Sequence, residues 1–277
     1  MPMRKGQAST RKQAKRPLIP DVRFNLGTYA DINSVLDFRF DVRGVRLLVR
    51  LFPLPAVVVT DSNDRCHAEE AAAVMPYRLI DYVDARYSER MYFHLDHVRR
   101  QIGAYCETIE RRTSVPSVFA LLDGTKIGIY RPSPRKGHRS ENLQRLTTPD
   151  GLCMHFFGPF EGRRHDKTVL AASCLLQYFR ENADAFEGKA IFGDPAYSVS
   201  EFVVTRFKDV VLSTHARIFN KEMSAVRTAV RLSLVGEFVR VAILLTNCHC
   251  CYNGGNQISQ FFDLPPPPLE DYLDITN

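Results

Sequence analysis

Two aspartates in this sequence each follow a short apolar run, where α/β proteins place ligand-binding groups. Asp123 comes directly after Val118–Leu122, and Asp194 comes directly after Ala190–Gly193. Residues just beyond strand ends in an open α/β sheet line the crevice in which ligands bind. Two carboxylates brought together there repel unless a cation joins them, and their hard oxygen atoms suit Mg²⁺ or Mn²⁺. Alternatively, each Asp simply caps a turn beside its Gly or Pro neighbour.

The elements that must position these acids alternate between strand-like and helical patterns. Strands are predicted at Val118–Leu122, Leu152–Phe157 and Ala190–Phe192, because short apolar runs there are bounded by turn residues. Helices are predicted over about 167–182 and 221–247. The sequence therefore predicts an α/β domain from residue 113 onward, in which Pro265–Pro268 end the folded part and an acidic tail follows.

The preceding region, 21–112, is predicted to be mostly helical. Its clearest helix covers 88–109, with Ser88 as N-cap and an apolar stripe at Met91, Leu95, Val98, Ile102, Tyr105 and Ile109. A shorter helix before it would join it through a turn at Arg86–Ser88. Such a pair is either a helix-turn-helix, whose second helix presents Arg90, His94, His97 and Arg100 to DNA, or an ordinary helical hairpin with a solvated basic face.

Several ordered motifs resemble those of Harbinger-type DDE transposases, a family of DDE superfamily endonucleases. They are Asp123–Ile127, Thr148–Leu152, Gly158–Asp166, Gly193–Tyr197 and Phe219–Ser224 followed by Arg227. The resemblance extends over roughly 113–275, and Arg65–Ala71 with the helices after it resembles the helix-turn-helix region of that family. It implies an RNase H-like mixed sheet flanked by helices, a divalent metal cofactor (Mg²⁺ or Mn²⁺) and DNA as the substrate and partner.

The resemblance also assigns the acids. Asp123 corresponds to the first catalytic and metal-binding acid and Asp194 to the second, with Asp166 as a less favoured second acid. The position of the third acid, a Glu in the family, is occupied by Arg231, and Glu237 is the one acid that could replace it. We also expect the family's second strand to be missing between Pro132 and Thr148, or replaced by Lys126–Tyr130.

These departures leave three interpretations open. The chain is a metal-dependent nuclease, impaired because the third acid is missing; an inactive, domesticated DNA- or protein-binding relic; or a product that folds poorly because a central strand is lost.

The domain organisation expected is a basic tail over 1–20, a helical region over 21–112, the endonuclease domain over 113–263 and a Pro-rich, acidic tail over 264–277.

The net positive charge of the chain is concentrated near its N-terminus. The 277-residue chain has a net charge of +6, and the six basic residues between Arg4 and Arg16 account for all of it. Such a tail is a solvated terminus, a nuclear-import or DNA-binding arm, or an Arg-rich transit peptide.

The longest apolar runs are too short to span a bilayer, so we expect no membrane role. Seven cysteines without a secretory signal indicate a reducing compartment, the nucleus or otherwise the cytoplasm. The cluster Cys248–Cys251 is expected to hold buried thiols at a helix end rather than zinc.

Overall fold

The structure is a computed structural model of the chain. It describes residues 24–52, 54–59, 65–74, 83, 86–113, 115–129, 139–161, 164–207, 212–229 and 237–273. The chain divides into two compact units, residues 1–78 and 79–277. Among the described residues, no helix is both long and apolar enough to cross a bilayer.

The first unit combines helices with a small sheet. It contains α1 (Asp31–Phe38), α2 (Val42–Leu51), β1 (Val57–Val59), β2 (Arg65–His67) and α3 (Ala68–Val74). Asp41 caps α2 by accepting a hydrogen bond from Gly44 N–H at 2.6 Å, and α2 buries Val45, Leu48 and Leu51 at the helical spacing. The antiparallel pair β1–β2 was not predicted from the sequence.

The second unit begins with two helices that differ from the predicted pair. Residues 86–92 form α4, the helical geometry stops at Phe93 and His94, and α5 runs over Leu95–Thr113. The predicted turn at Arg86–Ser88 is therefore wrong, as is the single helix over 88–109. The break follows from tertiary contacts, because His94 N–H donates to the carbonyl of Met154 in the sheet at 3.2 Å. The apolar stripe does face inward: Met91, Val98, Tyr105 and Ile109 are buried, and Leu95 and Ile102 are half-buried.

Within the described residues, five strands of the second unit form one mixed sheet. They are β3 (Val118–Ile129), β4 (Arg139–Thr147), β5 (Cys153–Glu161), β6 (Ala190–Gly193) and β7 (Val203–Thr205). Their order is β5-β4-β3-β6-β7; β3, β4 and β5 pair antiparallel, whereas β6 is parallel to β3 and β7 to β6. This mixed sheet is consistent with the RNase H-like fold that the resemblance implied.

Two expectations about these strands need correction. The strand expected to be missing between Pro132 and Thr148 is present as β4, which is central and pairs with strands on both sides. In addition, Asp123 does not follow the end of its strand, because β3 continues through Asp123 to Ile129 against β4.

Helices cover both faces of the sheet. The connection from β5 to β6 forms α6 (Asp166–Ala172), α7 (Leu175–Glu181) and α8 (Ala183–Phe186); the helix predicted over 167–182 is thus interrupted at Ser173 and Cys174. The rings of Phe179 and Phe186 pack against Phe119 of β3 on this face.

The opposite face carries the C-terminal helices. They are α9 (Thr214–Ala229), α10 (Glu237–Tyr252), α11 (Gln257–Phe262) and α12 (Leu269–Leu273). Met223 of α9 and Phe262 of α11 pack with Leu121 of β3 and Ile109 of α5 in one apolar cluster. Since α5 contributes to this core, the contacts place α4 and α5 with the sheet, whereas the sequence predicted a domain boundary at 112/113.

Candidate functional site

The candidate site lies where the parallel pairing of β3 and β6 ends. The last paired residues are Leu122 of β3 and Gly193 of β6. Beyond them, β6 gives way to Asp194, which caps a 3-10 turn over Pro195–Tyr197 and accepts a hydrogen bond from Ala196 N–H at 2.9 Å. β3 continues straight on through Asp123. The site therefore forms beside a strand that extends past its neighbour.

The register brings the two predicted acids side by side. Asp123 directly follows Leu122 and Asp194 directly follows Gly193, so each is one residue past the same paired position on adjacent parallel strands. Neighbouring strands lie about 4.8 Å apart. The Asp123 side chain is buried and that of Asp194 is half-buried. Two acidic residues are thereby placed where the pairing of β3 with β6 ends.

An arginine accompanies Asp123. Arg145 of β4 is directly opposite Asp123 in the antiparallel register, and its Nη2 lies 3.5 Å from Asp123 Oδ2. Both side chains are largely buried, at 16% and 6% exposure. The first predicted acid is thus one half of a buried ion pair with the adjacent strand, and no motif in the sequence had indicated this.

Asp166 approaches β3 from the other face. A Cβ added at Gly124 would lie 3.2 Å from Asp166 Oδ1 and 3.0 Å from the hydroxyl oxygen of Tyr197. Because successive residues of a strand point to opposite faces, Asp166 packs over Gly124 on the face away from Asp123. Asp166 is therefore close to the candidate site, but the β3 backbone lies between its carboxylate and that of Asp123.

The predicted position of the third acid and the side chains nearest to it lie outside the described part of the chain. Arg231 lies outside the described residues, and so do the side chains of Arg227 and Glu237, which belong to α9 and α10. What is described is the preceding turn of α9, where buried Met223 packs with Leu121. In the part of the chain that the structure describes, no three His, Cys, Asp or Glu side chains are grouped as a metal site would require.

The row of side chains predicted to face DNA does not form an exposed surface. His94 and His97 are buried, at 5% and 2% exposure, and Arg90 donates to the carbonyl of Leu273 and lies over the ring of Tyr87. Of the four, only Arg100 is exposed. The prediction of an outward basic row is wrong for the two histidines, because the break at residues 93–94 turns this part of the chain into the interior.

His97 instead belongs to a buried network that the sequence had indicated only as a motif. The Asp150 carboxylate accepts hydrogen bonds from His97 Nε2–H (3.1 Å), the Tyr105 hydroxyl (2.5 Å) and the Thr148 hydroxyl (2.6 Å). Burial and the adjacent Asp150 charge raise the pKa of Tyr105 well above its usual value. Thr148 and Asp150 are part of the motif Thr148–Leu152. Their contacts attach α5 to the β4–β5 turn, so this motif serves the fold.

The cysteine cluster is also structural. Cys248, Cys250 and Cys251 are buried along α10 as free thiols, which confirms the prediction of buried thiols. Burial, reinforced by the Asp150 charge, raises the pKa of Cys250 to about 12. The pKa of Cys248 is also raised by burial. Neutral, buried thiols of this kind are poor metal ligands and poor nucleophiles.

Comparison with known proteins gives one match, and it covers the candidate site. Residues 122–233, less than half of the chain, match the family model described as DDE superfamily endonuclease. The matched segment begins one residue before Asp123 and includes Asp166 and Asp194. Neither the curated proteins nor the solved structures yielded a match. Residues 122–233 thus carry the sequence signature of a DDE superfamily endonuclease domain, which indicates a transposase-type nuclease ancestry.

Proposed function

We propose that residues 113–263 form a transposase-derived DDE endonuclease domain that binds one divalent cation between Asp123 and Asp194 and whose cleavage of DNA phosphodiesters is weak or absent. The observation that carries the proposal is the register of β3 and β6, which presents the two acids side by side within the matched segment. The ancestral substrate is DNA, and the basic stretch between Arg4 and Arg16 supports action in the nucleus.

The donor set fits a hard cation. The acids come from β3 and from the residue that follows β6, and their carboxylate oxygens are ligands that Mg²⁺ or Mn²⁺ accepts. Mg²⁺ usually takes one or two carboxylates together with phosphate and water. Asp194 is held in place by its hydrogen bond from Ala196 N–H. When bound, the cation supplies Lewis-acid polarisation of a phosphoryl oxygen and a lower pKa for an attacking water. Asp123 and Asp194 would hold the cation. Asp166 is the less favoured ligand, because the β3 backbone lies between its carboxylate and that of Asp123.

Two features argue that cleavage is impaired. The position of the family's third acid corresponds to Arg231, and a guanidinium there opposes a nearby cation. Glu237 would have to replace that acid from the first residue of α10. In addition, Arg145 already neutralises Asp123. Two acids alone can hold one ion, but they do not provide the paired metal clamp that stabilises both the attacking and the leaving oxygens.

The buried ion pair also favours a second candidate function. If Arg145 keeps Asp123 permanently neutralised, the domain is an inactive relic that binds DNA or a protein partner without chemistry. DNA binding through the basic tail would then weaken steeply as salt increases, because each phosphate contact releases counterions.

The experiment that tests the proposal uses the purified full-length chain. Supercoiled plasmid is incubated with Mg²⁺ or Mn²⁺, and Mn²⁺ binding is measured by calorimetry, for the wild type, Asp123→Asn and Asp194→Asn. Asp184→Asn is the matched control, because Asp184 is an exposed acid that pairs with Arg99 away from the site.

The proposal predicts Mn²⁺ binding that both site variants abolish and the control retains, with little or no nicking. Nicking that Asp123→Asn eliminates would disprove the impairment. Mn²⁺ binding that persists in both site variants, or no Mn²⁺ binding by the wild type, would disprove the metal site. The relic interpretation predicts no Mn²⁺ binding together with salt-sensitive DNA binding.

A further inference from the structure

Arg145 and Asp123 form a close, buried pair at the centre of the candidate site. They are cross-strand partners in the antiparallel register of β3 and β4, so their side chains leave the same face of the sheet. The 3.5 Å between Arg145 Nη2 and Asp123 Oδ2 is within ion-pair distance. The pairing is set by the backbone of two central strands and not by a mobile loop.

The burial of this pair makes it energetically important. A carboxylate with 6% exposure requires a positive partner or a proton, because an isolated buried charge is strongly unfavourable. Arginine remains charged at any pH that the folded protein tolerates. The Asp123 charge is therefore already compensated by the protein itself, without any bound ion.

A divalent cation at the proposed site must use the same carboxylate. The cation either displaces the guanidinium from Asp123 Oδ2, or it binds while the positive charge of Arg145 stays within a few ångströms of the cation. Both alternatives reduce the affinity, the first through loss of the ion pair and the second through repulsion in a medium of low dielectric constant.

We infer that Arg145 is the resident counter-ion of Asp123 and competes with the divalent cation for its carboxylate. This inference rests on the proposed function, since it assigns Arg145 the role of setting the metal affinity of that same site. Removing the guanidinium should remove this ion pair and the positive charge beside Asp123, and so strengthen the binding of a cation to its carboxylate.

The test is a calorimetric Mn²⁺ titration of the full-length chain and its variants. Arg145→Met removes the charge and keeps most of the side-chain volume, Arg145→Gln removes the charge and keeps a hydrogen-bond donor, and Arg145→Lys keeps the charge. Arg180→Met is the matched control, because Arg180 pairs with Glu201 at 3.2 Å at an exposed position. Thermal unfolding with and without Mn²⁺ gives a second readout and shows which variants fold.

We expect Arg145→Met and Arg145→Gln to bind Mn²⁺ roughly tenfold or more tightly than the wild type. A change of about tenfold in affinity is at the low end of the effect that removing a nearby buried charge can have. Their melting temperatures without metal should fall, and the increase caused by Mn²⁺ should exceed that of the wild type. Arg145→Lys and Arg180→Met should bind Mn²⁺ like the wild type.

Failure of the inference differs from failure of the proposed function. Equal Mn²⁺ affinity in the wild type and the charge-removing variants, with Asp123→Asn abolishing binding in each background, would overturn the competition but leave the metal site intact. Mn²⁺ binding that survives when Asp123→Asn is added to Arg145→Gln, or no binding in any variant, would overturn the proposed site and the inference with it.

Discussion

Gly124 of β3 lies next to Asp123 in the chain and receives a second acid, Asp166, on the opposite face of the strand. Asp123 lies before it on the face shared with Arg145, and Asp166 packs directly over Gly124 on the other. The Tyr197 ring fills the space beside it, since a Cβ at Gly193, the last residue of β6, would lie 3.0 Å from that ring. The absence of a side chain at residue 124 therefore allows the α6 end and the 3-10 turn after β6 to close onto β3.

A methyl group at position 124 should disturb this arrangement. We predict that Gly124→Ala lowers the free energy of unfolding by roughly 1–3 kcal/mol, because Tyr197 and Asp166 would both have to move. Gly103→Ala is the control: Gly103 lies in α5 with no atom within 4 Å of an added Cβ, so alanine there should stabilise the helix by roughly 0.5–1 kcal/mol. Urea denaturation of the two variants measures both effects. Equal stability of Gly124→Ala and the wild type would mean that the contacts over Gly124 adjust freely.

The sequence indicated the acids of the site but not the groups that modify them. Asp123 and Asp194 could be identified because each follows an apolar run and lies in a recognisable motif. Arg145 could not, since its position opposite Asp123 depends on the register of β4. His94 and His97 fitted an outward helical face, and only the hydrogen bond from His94 N–H to Met154, which interrupts the helix, shows that they are interior.

At the scale of elements, β4 shows why hydrophobic patterning can miss a central strand. Leu143 and Leu146 are the apolar side chains of its nine residues, so neither an apolar run nor a strict alternation is present. Asn142 and Gln144 are nevertheless buried. Asn142 Nδ2–H donates to the carbonyl of Arg164, and Gln144 Nε2–H donates to Ser173 Oγ at 3.0 Å and His155 Nε2 at 3.2 Å. These side-chain hydrogen bonds go to the residue two positions before α6, to the break between α6 and α7, and to β5. They offset the burial of polar amide groups, and such partners cannot be identified from the local sequence.

The central position of β4 leads to a prediction about stability. Leu146 is fully buried and pairs with Leu122 on one side and His155 on the other. Leu146→Ala should lower the free energy of unfolding by about 2–5 kcal/mol, because it creates a cavity in the middle of the sheet. Val199→Ala, at a position with 73% exposure, should change it by less than about 0.5 kcal/mol. Denaturant unfolding of both variants compares them. A small effect of Leu146→Ala would contradict a central, well-packed β4.

At the scale of the whole molecule, the interior of the second unit holds uncharged histidines. His155 bridges elements, since its Nδ1–H donates to the carbonyl of Tyr92 at 2.6 Å and its Nε2 accepts from Gln144. Burial lowers the pKa of His155 from 6.5 to about 4, against the opposing effect of the Tyr92 carbonyl. Burial likewise lowers the pKa of His94 to about 4, aided by the charges of His97, Arg90 and Arg100. Both residues join the helices of 86–113 to the rest of the unit, since His94 contacts the Tyr272 carbonyl and His155 the Tyr92 carbonyl, and their neutral forms favour the folded state.

These lowered pKa values predict that the fold weakens in mild acid. The unfolded chain binds protons at these histidines near pH 6.5, whereas the folded chain does so only near pH 4, so stability is present above 6.5 and declines as the pH falls toward 4. Between about pH 7 and about pH 5, each histidine should remove about 2 kcal/mol from the free energy of unfolding. Urea denaturation followed by circular dichroism at the two pH values measures this loss. His155→Gln should roughly halve the loss of stability between the two pH values, independently of how the substitution changes stability at neutral pH. His215→Gln, at an exposed position of α9, should leave the loss unchanged. A loss that is the same in His155→Gln as in the wild type would show that His155 is not one of the groups whose protonation opposes folding.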